Sequence, residues 1–280
     1  MRRKLSDMET LLYYFMPNDC SNYLVIDNLL PEEKKQILQT FKGKDGYQRD
    51  FLKTYVPEPD WKNIPYNVAG DLPFEETLGK GENAYTSLSI KDPDDPTKST
   101  QDRRWYEWRK ENWGTKWDVY DPIIEEEPFV ELTGPSNDIG VNFMTAWSPP
   151  NEKCLSTISK QFPNAVFINR YDELSMDYFG VTVAQNGITF EEDGPDPSNI
   201  RDEWAQLHEP ELFKKANDED DLDAQDELEE IWCDQQGDEL EKYWEEMEQT
   251  LLDYLRNGDP FSERVTVKKD SSFGDLVVHN

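Results

Sequence analysis

Residues 103–117 read Arg103-Arg104-Trp105-Tyr106-Glu107-Trp108-Arg109-Lys110-Glu111-Asn112-Trp113-Gly114-Thr115-Lys116-Trp117. Cations interleaved with indoles can stack the bases and hold the phosphates of a single nucleic-acid strand. Arg103, Arg104, Trp105, Trp108, Arg109 and Lys116 are the residues such a strand would meet. A second group carries the opposite chemistry. Residues 191–259 hold 26 Asp or Glu against five Lys or Arg, so about two thirds of the net charge of −31 lies in a quarter of the chain. Within it Glu227, Glu229, Glu230, Asp234, Glu241, Glu245, Glu246 and Glu248 are spread along a helical pattern. Carboxylates spaced evenly on a rigid helix can imitate a phosphate backbone and occupy a basic groove of another protein. A solvated face that keeps the chain in solution is the plainer account of a charge run, but solubility does not require this density.

Other chemistry has little to work with. His208 and His279 are the two histidines, and neither has a second histidine or a cysteine at ligand spacing. Asn217–Asp223 resembles a calcium loop superficially, yet it lacks the mid-loop glycine and puts Leu222 at a ligand position. No G-x-S-x-G, G-x-x-x-x-G-K-[ST] or G-x-G-x-x-G occurs, and Gly79-Lys80-Gly81 is too short to cradle a phosphate. Cys20 has no histidine near it in sequence, and a buried cysteine is the usual outcome. Carboxylate pairs carry no information in so acidic a chain. The expectation is a non-enzymatic protein with no catalytic, metal or cofactor-binding residues and no cofactor.

Charge narrows the partners. A net charge of −31 repels nucleic acid and anionic membranes and attracts basic protein surfaces. Trp105, Trp108, Trp113, Trp117 and Trp147 are therefore expected to clamp the chain's own parts together, with the arginines at the surface, before they serve as a stacking platform. Three dispersed cysteines, Cys20, Cys154 and Cys233, imply no disulfide framework and fit a reducing cytoplasm. No apolar run approaches a membrane span, and Leu11–Met16 behind the basic Met1–Lys4 is too short for a signal peptide.

Periodicity supplies the elements that must hold these groups. Asn22–Asp27 alternates as a strand, Pro31-Glu32-Glu33 opens a helix with Ile37, Leu38 and Phe41 on one face, and Gly43 stops it. Residues 44–101 carry Pro57, Pro59, Pro65, Pro73, Pro93 and Pro96, which interrupt every element, while Tyr47, Phe51, Tyr55, Trp61, Tyr66 and Phe74 anchor the stretch to something. Asp92–Thr100 has no anchor and is expected to be mobile. Asp102–Asn112 is a helix ended by Gly114. Trp117–Tyr120, Phe129–Leu132 and Ile139–Trp147 are extended, the last with Val141, Phe143 and Trp147 on one side. Ser148-Pro149-Pro150 caps a helix burying Leu155, Ile158 and Phe162. Ala165–Tyr171 and the alternating Phe179, Val181, Val183 are strands, and Asn186-Gly187 is a hairpin turn. Leu228, Ile231 and Trp232 mark a helix broken near Gly237; Leu240, Tyr243, Trp244, Met247, Leu251, Tyr254 and Leu255 mark another, started by Asp238 and Glu241 and stopped at Asn257-Gly258. Val265, Val267 and Leu276–Val278 close the chain as a hairpin.

Two motifs carry a resemblance. Trp113-Gly114-Thr115-Lys116-Trp117-Asp118 together with Phe143-Met144-Thr145-Ala146-Trp147-Ser148-Pro149-Pro150, after an opening Met16-Pro17-Asn18-Asp19-Cys20-Ser21-Asn22, resembles Api-like phage and plasmid proteins with a YubB-type ferredoxin-like domain. Asp19 stands where that family has a tryptophan. The resemblance covers about residues 16–190 and implies a fold and a host bacterial cytoplasm; it brings no catalytic residues.

The expected architecture is α+β: a ferredoxin-like antiparallel sheet with two helices on one face, a Pro-rich insertion at about 44–101 and an acidic C-terminal helical appendage. Residues 1–15 are an extension, 16–190 the sheet domain, and 191–280 the acidic region with short terminal strands. Its apolar stripe (Trp232, Leu240, Tyr243, Trp244, Met247, Leu251) must be buried. The expected receptor is the insertion's aromatics and the basic Trp-rich helix, with Arg104, Arg109 or Lys116 facing carboxylates among Glu239–Glu248. The expected function is binding a basic host protein; the alternative is a nucleic-acid module using the sheet and residues 103–117.

Overall fold

The computed structural model describes residues 18–42, 50–78, 85–92, 94–95, 97–125, 138–173, 176–218 and 221–258. Expectations resting on residues 1–17, Gly43, Tyr47, Gly79–Gly81, Pro93, Pro96, Phe129–Leu132, 265–278 and His279 lie outside these residues.

A six-stranded antiparallel sheet organises the chain in the order β5-β6-β1-β7-β8-β9. Its strands are β1 (Asp19–Asp27), β5 (Tyr120–Glu125), β6 (Ile139–Ala146), β7 (Val166–Glu173), β8 (Tyr178–Gln185) and β9 (Ile188–Asp193). β1, α1 (Pro31–Lys42), β5, β6, α4 (Glu152–Ser159) and β7 give the strand–helix–strand–strand–helix–strand order read from periodicity, and β8 and β9 extend it. Asn186 and Gly187, both at positive φ (46° and 84°), turn β8 into β9 as a tight hairpin whose twist matches its strands.

Strand alternation sends two apolar sets to opposite faces. Leu24, Ile26, Val141, Phe143 and Phe167 face α1 and α4, which contribute Ile37, Phe41, Leu155 and Ile158. α2 (Phe51–Tyr55) completes this core with Phe51, Leu52 and Tyr55; of the insertion's other aromatics, Trp61, Tyr66 and Phe74 are half-buried and lie outside it. Two local expectations are corrected here. The cap of α4 is Asn151, whose side-chain amide oxygen accepts the Cys154 N–H at 2.9 Å, and not Ser148. Trp147 does not share the buried side of Val141 and Phe143, because β6 ends at Ala146 and Trp147 turns out at φ 70°.

The insertion holds more structure than its prolines suggest. Pro57, Pro59, Pro65 and Pro73 all fall between elements, leaving β2 (Phe74–Leu78), β3 (Tyr85–Lys91) and β4 (Ser99–Gln101) to pair as a three-stranded sheet. Nor is Asp92–Thr100 an unanchored loop. Asp92 accepts the N–H groups of Asp94 and Asp95, its own N–H reaches Lys98 O, and Ser99 and Thr100 already belong to β4. Asx turns of this kind are invisible to a search for hydrophobic anchors.

Across the opposite face of the large sheet lies α7 (Leu222–Asn257), 36 residues long. Val25, Ile168, Phe179, Val181 and Val183 of the sheet meet Trp232, Leu240, Met247, Leu251 and Leu252 of this helix. The acidic region is thus a third layer of the fold. α7 runs through Gly237 without the expected break, and Asp238 and Glu241 lie inside it; the true cap is Asp221, which accepts from Asp223 N and Ala224 N. An exposed interior glycine costs about 1 kcal/mol, and burial of Trp232 and Leu240 on either side of it exceeds that. α5 (Pro197–His208) and α6 (Pro210–Asp218) pack on the first half of α7 through Ala205, Ala216, Ala224 and Leu228. Gly258, at φ 80°, ends α7 as expected.

Candidate functional site

The two family-like motifs interlock. Trp113 is buried and donates its indole N–H to Val56 O at 2.8 Å. Gly114 is left-handed (φ 86°), its carbonyl accepts from the Ser148 hydroxyl, and Asn151 N donates to Trp113 O. Thr115 accepts from Ala146 N and donates to Ala146 O, while Thr145 donates to Ser148 O. Asp118, half-buried, takes the N–H groups of Leu52 and Lys53 and so caps α2; desolvation pushes its carboxyl up to about 6 against these hydrogen bonds. The side chains of Trp113, Thr115, Asp118, Thr145 and Ser148 are thus used to join the insertion, β6 and α4.

The basic Trp-rich helix α3 (Arg104–Asn112) serves the same joint. Arg104 pairs with buried Asp102 and donates to the carbonyls of Trp61, Ile64 and Pro65. Arg109 pairs with Glu58, donates to Lys116 O, and lies 4.9 Å and 4.8 Å from the ring centroids of Trp105 and Trp113. Trp108 packs partly buried against the core. The expectation that the arginines sit at the surface holds for Arg103 alone of the three; Arg104 and Arg109 are spent on the insertion. Their fork geometry suits several carbonyls and a carboxylate at once. Lys116 sits between the exposed rings of Trp117 and Trp147.

None of these cations faces the acidic helix. Arg170, at the middle of β7, does so instead, bonding Glu248 at 2.8 Å and Glu241 at 2.6 Å. The expected docking partners Arg104, Arg109 and Lys116 lie on other elements, and the stripe's receptor is the second sheet face. The signal was present: a lone arginine between Asn169 and Tyr171 in a central strand needs a carboxylate from whatever covers it. Glu248, 6 % exposed, is raised by burial, with Arg170 opposing. It is not available to an external partner. Glu241 is half-engaged by Arg170, and Glu229 lies 3.4 Å from Arg201. Glu227, Glu230, Asp234, Glu245 and Glu246 are exposed and form no ion pair among the described residues.

Residues 113–211 match a family model described as a ferredoxin-like domain in Api92-like protein. The fold is ferredoxin-like. A crystal structure of a protein api92 from Yersinia pseudotuberculosis is similar at 15 % identity over 32 % of this chain and 31 % of that one, with a TM-score of 0.26. No curated protein matches. Among the described residues no helix is long and apolar enough to cross a membrane, and no group of three or more His, Cys, Asp or Glu is placed to hold a metal.

The ferredoxin-like sheet also carries a polar cluster that the sequence reading missed. Tyr171 donates toward Glu191 at 2.9 Å and Asp193 at 3.0 Å, with Glu152 of α4 adding negative charge beside Glu191. Gly180 makes room for this phenol, since a Cβ there would lie 2.5 Å from its oxygen. One hydroxyl proton serves two carboxylates, and partial desolvation of the carboxyl, Glu152 and Asp193 raise Glu191 although Tyr171 opposes them, the residue itself remaining solvent-accessible. A folded value above the unfolded one means that the native state holds the proton longer. Its stabilising contribution is complete below the unfolded glutamate value of about 4.3 and is lost as pH rises through the raised folded value. Glu191→Gln retains the acceptor and removes the charge. Thermal unfolding from acid to neutral pH is expected to show the variant gaining on the wild type as pH rises; parallel curves would dismiss the raised Glu191 carboxyl.

Proposed function

We propose that the protein is a non-enzymatic accessory protein of phage or plasmid origin that binds a basic protein of its bacterial host, in the cytoplasm, through the outer face of α7. One observation carries the reading. Glu227, Glu230, Asp234, Glu241 and Glu245 recur at helical spacings and lie along one side of a helix whose other side is packed on α5, α6 and the sheet. The line extends about 27 Å at 1.5 Å per residue. α7 holds thirteen acidic against two basic residues, about one net negative charge per 5 Å of axis. A DNA strand carries one per roughly 3.4 Å. That density is close enough for a rigid helix to compete for a nucleic-acid groove, and host nucleic-acid enzymes are the class of partner it suits.

The alternative, nucleic-acid binding by Arg103, Arg104, Trp105, Trp108, Arg109 and Lys116, has less support. Arg104 and Arg109 direct their donors inward, and α1 and α4 cover one face of the sheet while α7 covers the β7–β9 part of the other.

Affinity capture from bacterial lysate, with wild type and a variant carrying Gln or Asn at Glu227, Glu230, Asp234, Glu245 and Glu246, tests the reading. The wild type is expected to retain basic proteins that elute as salt rises, and the variant to lose them, because screening weakens contacts between exposed charges. Identical captured sets, or partners indifferent to salt, would reject it.

A further inference from the structure

Three non-glycine residues with left-handed backbone gather at one end of the large sheet: Asp121 (φ 47°), Trp147 (φ 70°) and Asp177 (φ 55°). Aspartate tolerates that conformation; a bulky aromatic does so under strain. Trp147 is held there by its N–H to Asn18 O at 2.8 Å and by the Tyr178 hydroxyl on its carbonyl. The strain keeps a large ring 42 % exposed, which a packing role does not account for. Trp117, 36 % exposed, stands beside it, and the Lys116 ammonium lies 4.7 Å and 5.2 Å from the two ring centroids.

Three carboxylates lie at the same end of the sheet. Asp19 accepts from the Tyr120 hydroxyl and is paired with Ala146, the neighbour of Trp147. Asp121 follows Tyr120, and Asp177 precedes Tyr178. All three are solvent-facing. One lysine against three carboxylates and two indoles leaves a surface that is acidic and aromatic together. Lys116 covers one face of each ring, showing that these rings accept a cation.

We propose that Trp147 and Trp117, with Asp19, Asp121 and Asp177, form a docking point for an arginine side chain of a basic protein partner. The proposal rests on the basic-partner reading and adds a specificity that the acidic helix lacks. A guanidinium is planar and weakly hydrated, so it stacks on indole while sharing its donors with carboxylates; an ammonium gains less. A nucleobase, the other stacking ligand, would bring phosphates toward three carboxylates and a strongly negative chain.

Calorimetric titration of the full chain with oligo-arginine and oligo-lysine peptides of equal length, at fixed salt, tests this. The wild type is expected to bind oligo-arginine roughly fivefold more tightly. Trp147→Asn, whose side chain tolerates the left-handed backbone, is expected to erase that preference, leave oligo-lysine affinity unchanged and keep the melting temperature within about 2 °C. Asp177→Asn, a surface change compatible with the same backbone, is expected to reduce the preference without touching a ring. Equal affinity for the two peptides, a preference that survives Trp147→Asn, or a sharp fall in that variant's melting temperature would each overturn the docking point. The α7 reading fails separately, if the wild type binds oligo-lysine no better than the variant neutralised on α7.

Discussion

Arg170→Ala is expected to destabilise the protein by about 3–5 kcal/mol at neutral pH. The arginine side chain is 11 % exposed and Glu248 is 8 % exposed at the side chain, so removal leaves a carboxylate buried between β7 and α7 with nothing to neutralise it. The intact pair is itself no great source of stability, because both charges were taken from water; burial raises Glu248 even with the arginine present. Two further outcomes separate this account from simple loss of packing. The deficit should shrink as pH falls through the raised folded value of Glu248 and reach its minimum by the unfolded glutamate value of about 4.3, below which the carboxyl is protonated in both states. Arg170→Met combined with Glu248→Leu should recover most of the loss, since apolar groups of similar volume suit that interface. Urea unfolding of the single and double variants at neutral and acid pH measures both. A deficit independent of pH, or a double variant as weak as the single one, would refute the buried-charge explanation.

Gly114→Ala is expected to cost about 2–5 kcal/mol. At φ 86° an alanine is strained, and its Cβ would lie 2.6 Å from Asn151 N and 2.8 Å from Pro149 O. Those are backbone atoms of the loop that leads into α4, so they cannot swing aside as a side-chain tip would. Gly70 is the control, because it has a similar φ of 87° and no atom within 4 Å of the added Cβ. Gly70→Ala carries the backbone strain alone, roughly 1 kcal/mol. Thermal or urea unfolding should therefore rank Gly114→Ala well below Gly70→Ala. Equal losses at the two positions would show that the interlocking of the motifs contributes little.

Much of the ferredoxin-like sheet was legible because each strand carries its own period. Leu24 and Ile26, Val141 and Phe143, and Phe179, Val181 and Val183 alternate within short runs, and Asn186-Gly187 names its turn without outside help. The apolar stripe of α7 was legible for the same reason, and so was the need to bury it. Local chemistry also marked the stops at Gly114 and Gly258, where left-handed backbone favours glycine.

What covers what was decided by the tertiary structure. Val25, Ile168 and Val181 alternate out of phase with Leu24, Phe167 and Ala184, so the sheet has two apolar faces, yet nothing local says which helix takes the second one. A stripe states that it must be buried and leaves its receptor open, so the aromatics of the insertion are as suitable a receptor in sequence as the sheet on which α7 lies. Charge behaves alike. Arg104, Arg109 and Arg170 are the same residue type in sequence, but their partners Asp102, Glu58 and Glu248 are fixed by chain paths that bring together residues 2, 51 and 78 positions apart. Periodicity and turn chemistry are properties of neighbouring residues and can be read one segment at a time. Pairing across the fold depends on where the whole backbone goes, and the burial of Glu248, the exposure of Trp147 and the outward line of carboxylates on α7 are all consequences of that path.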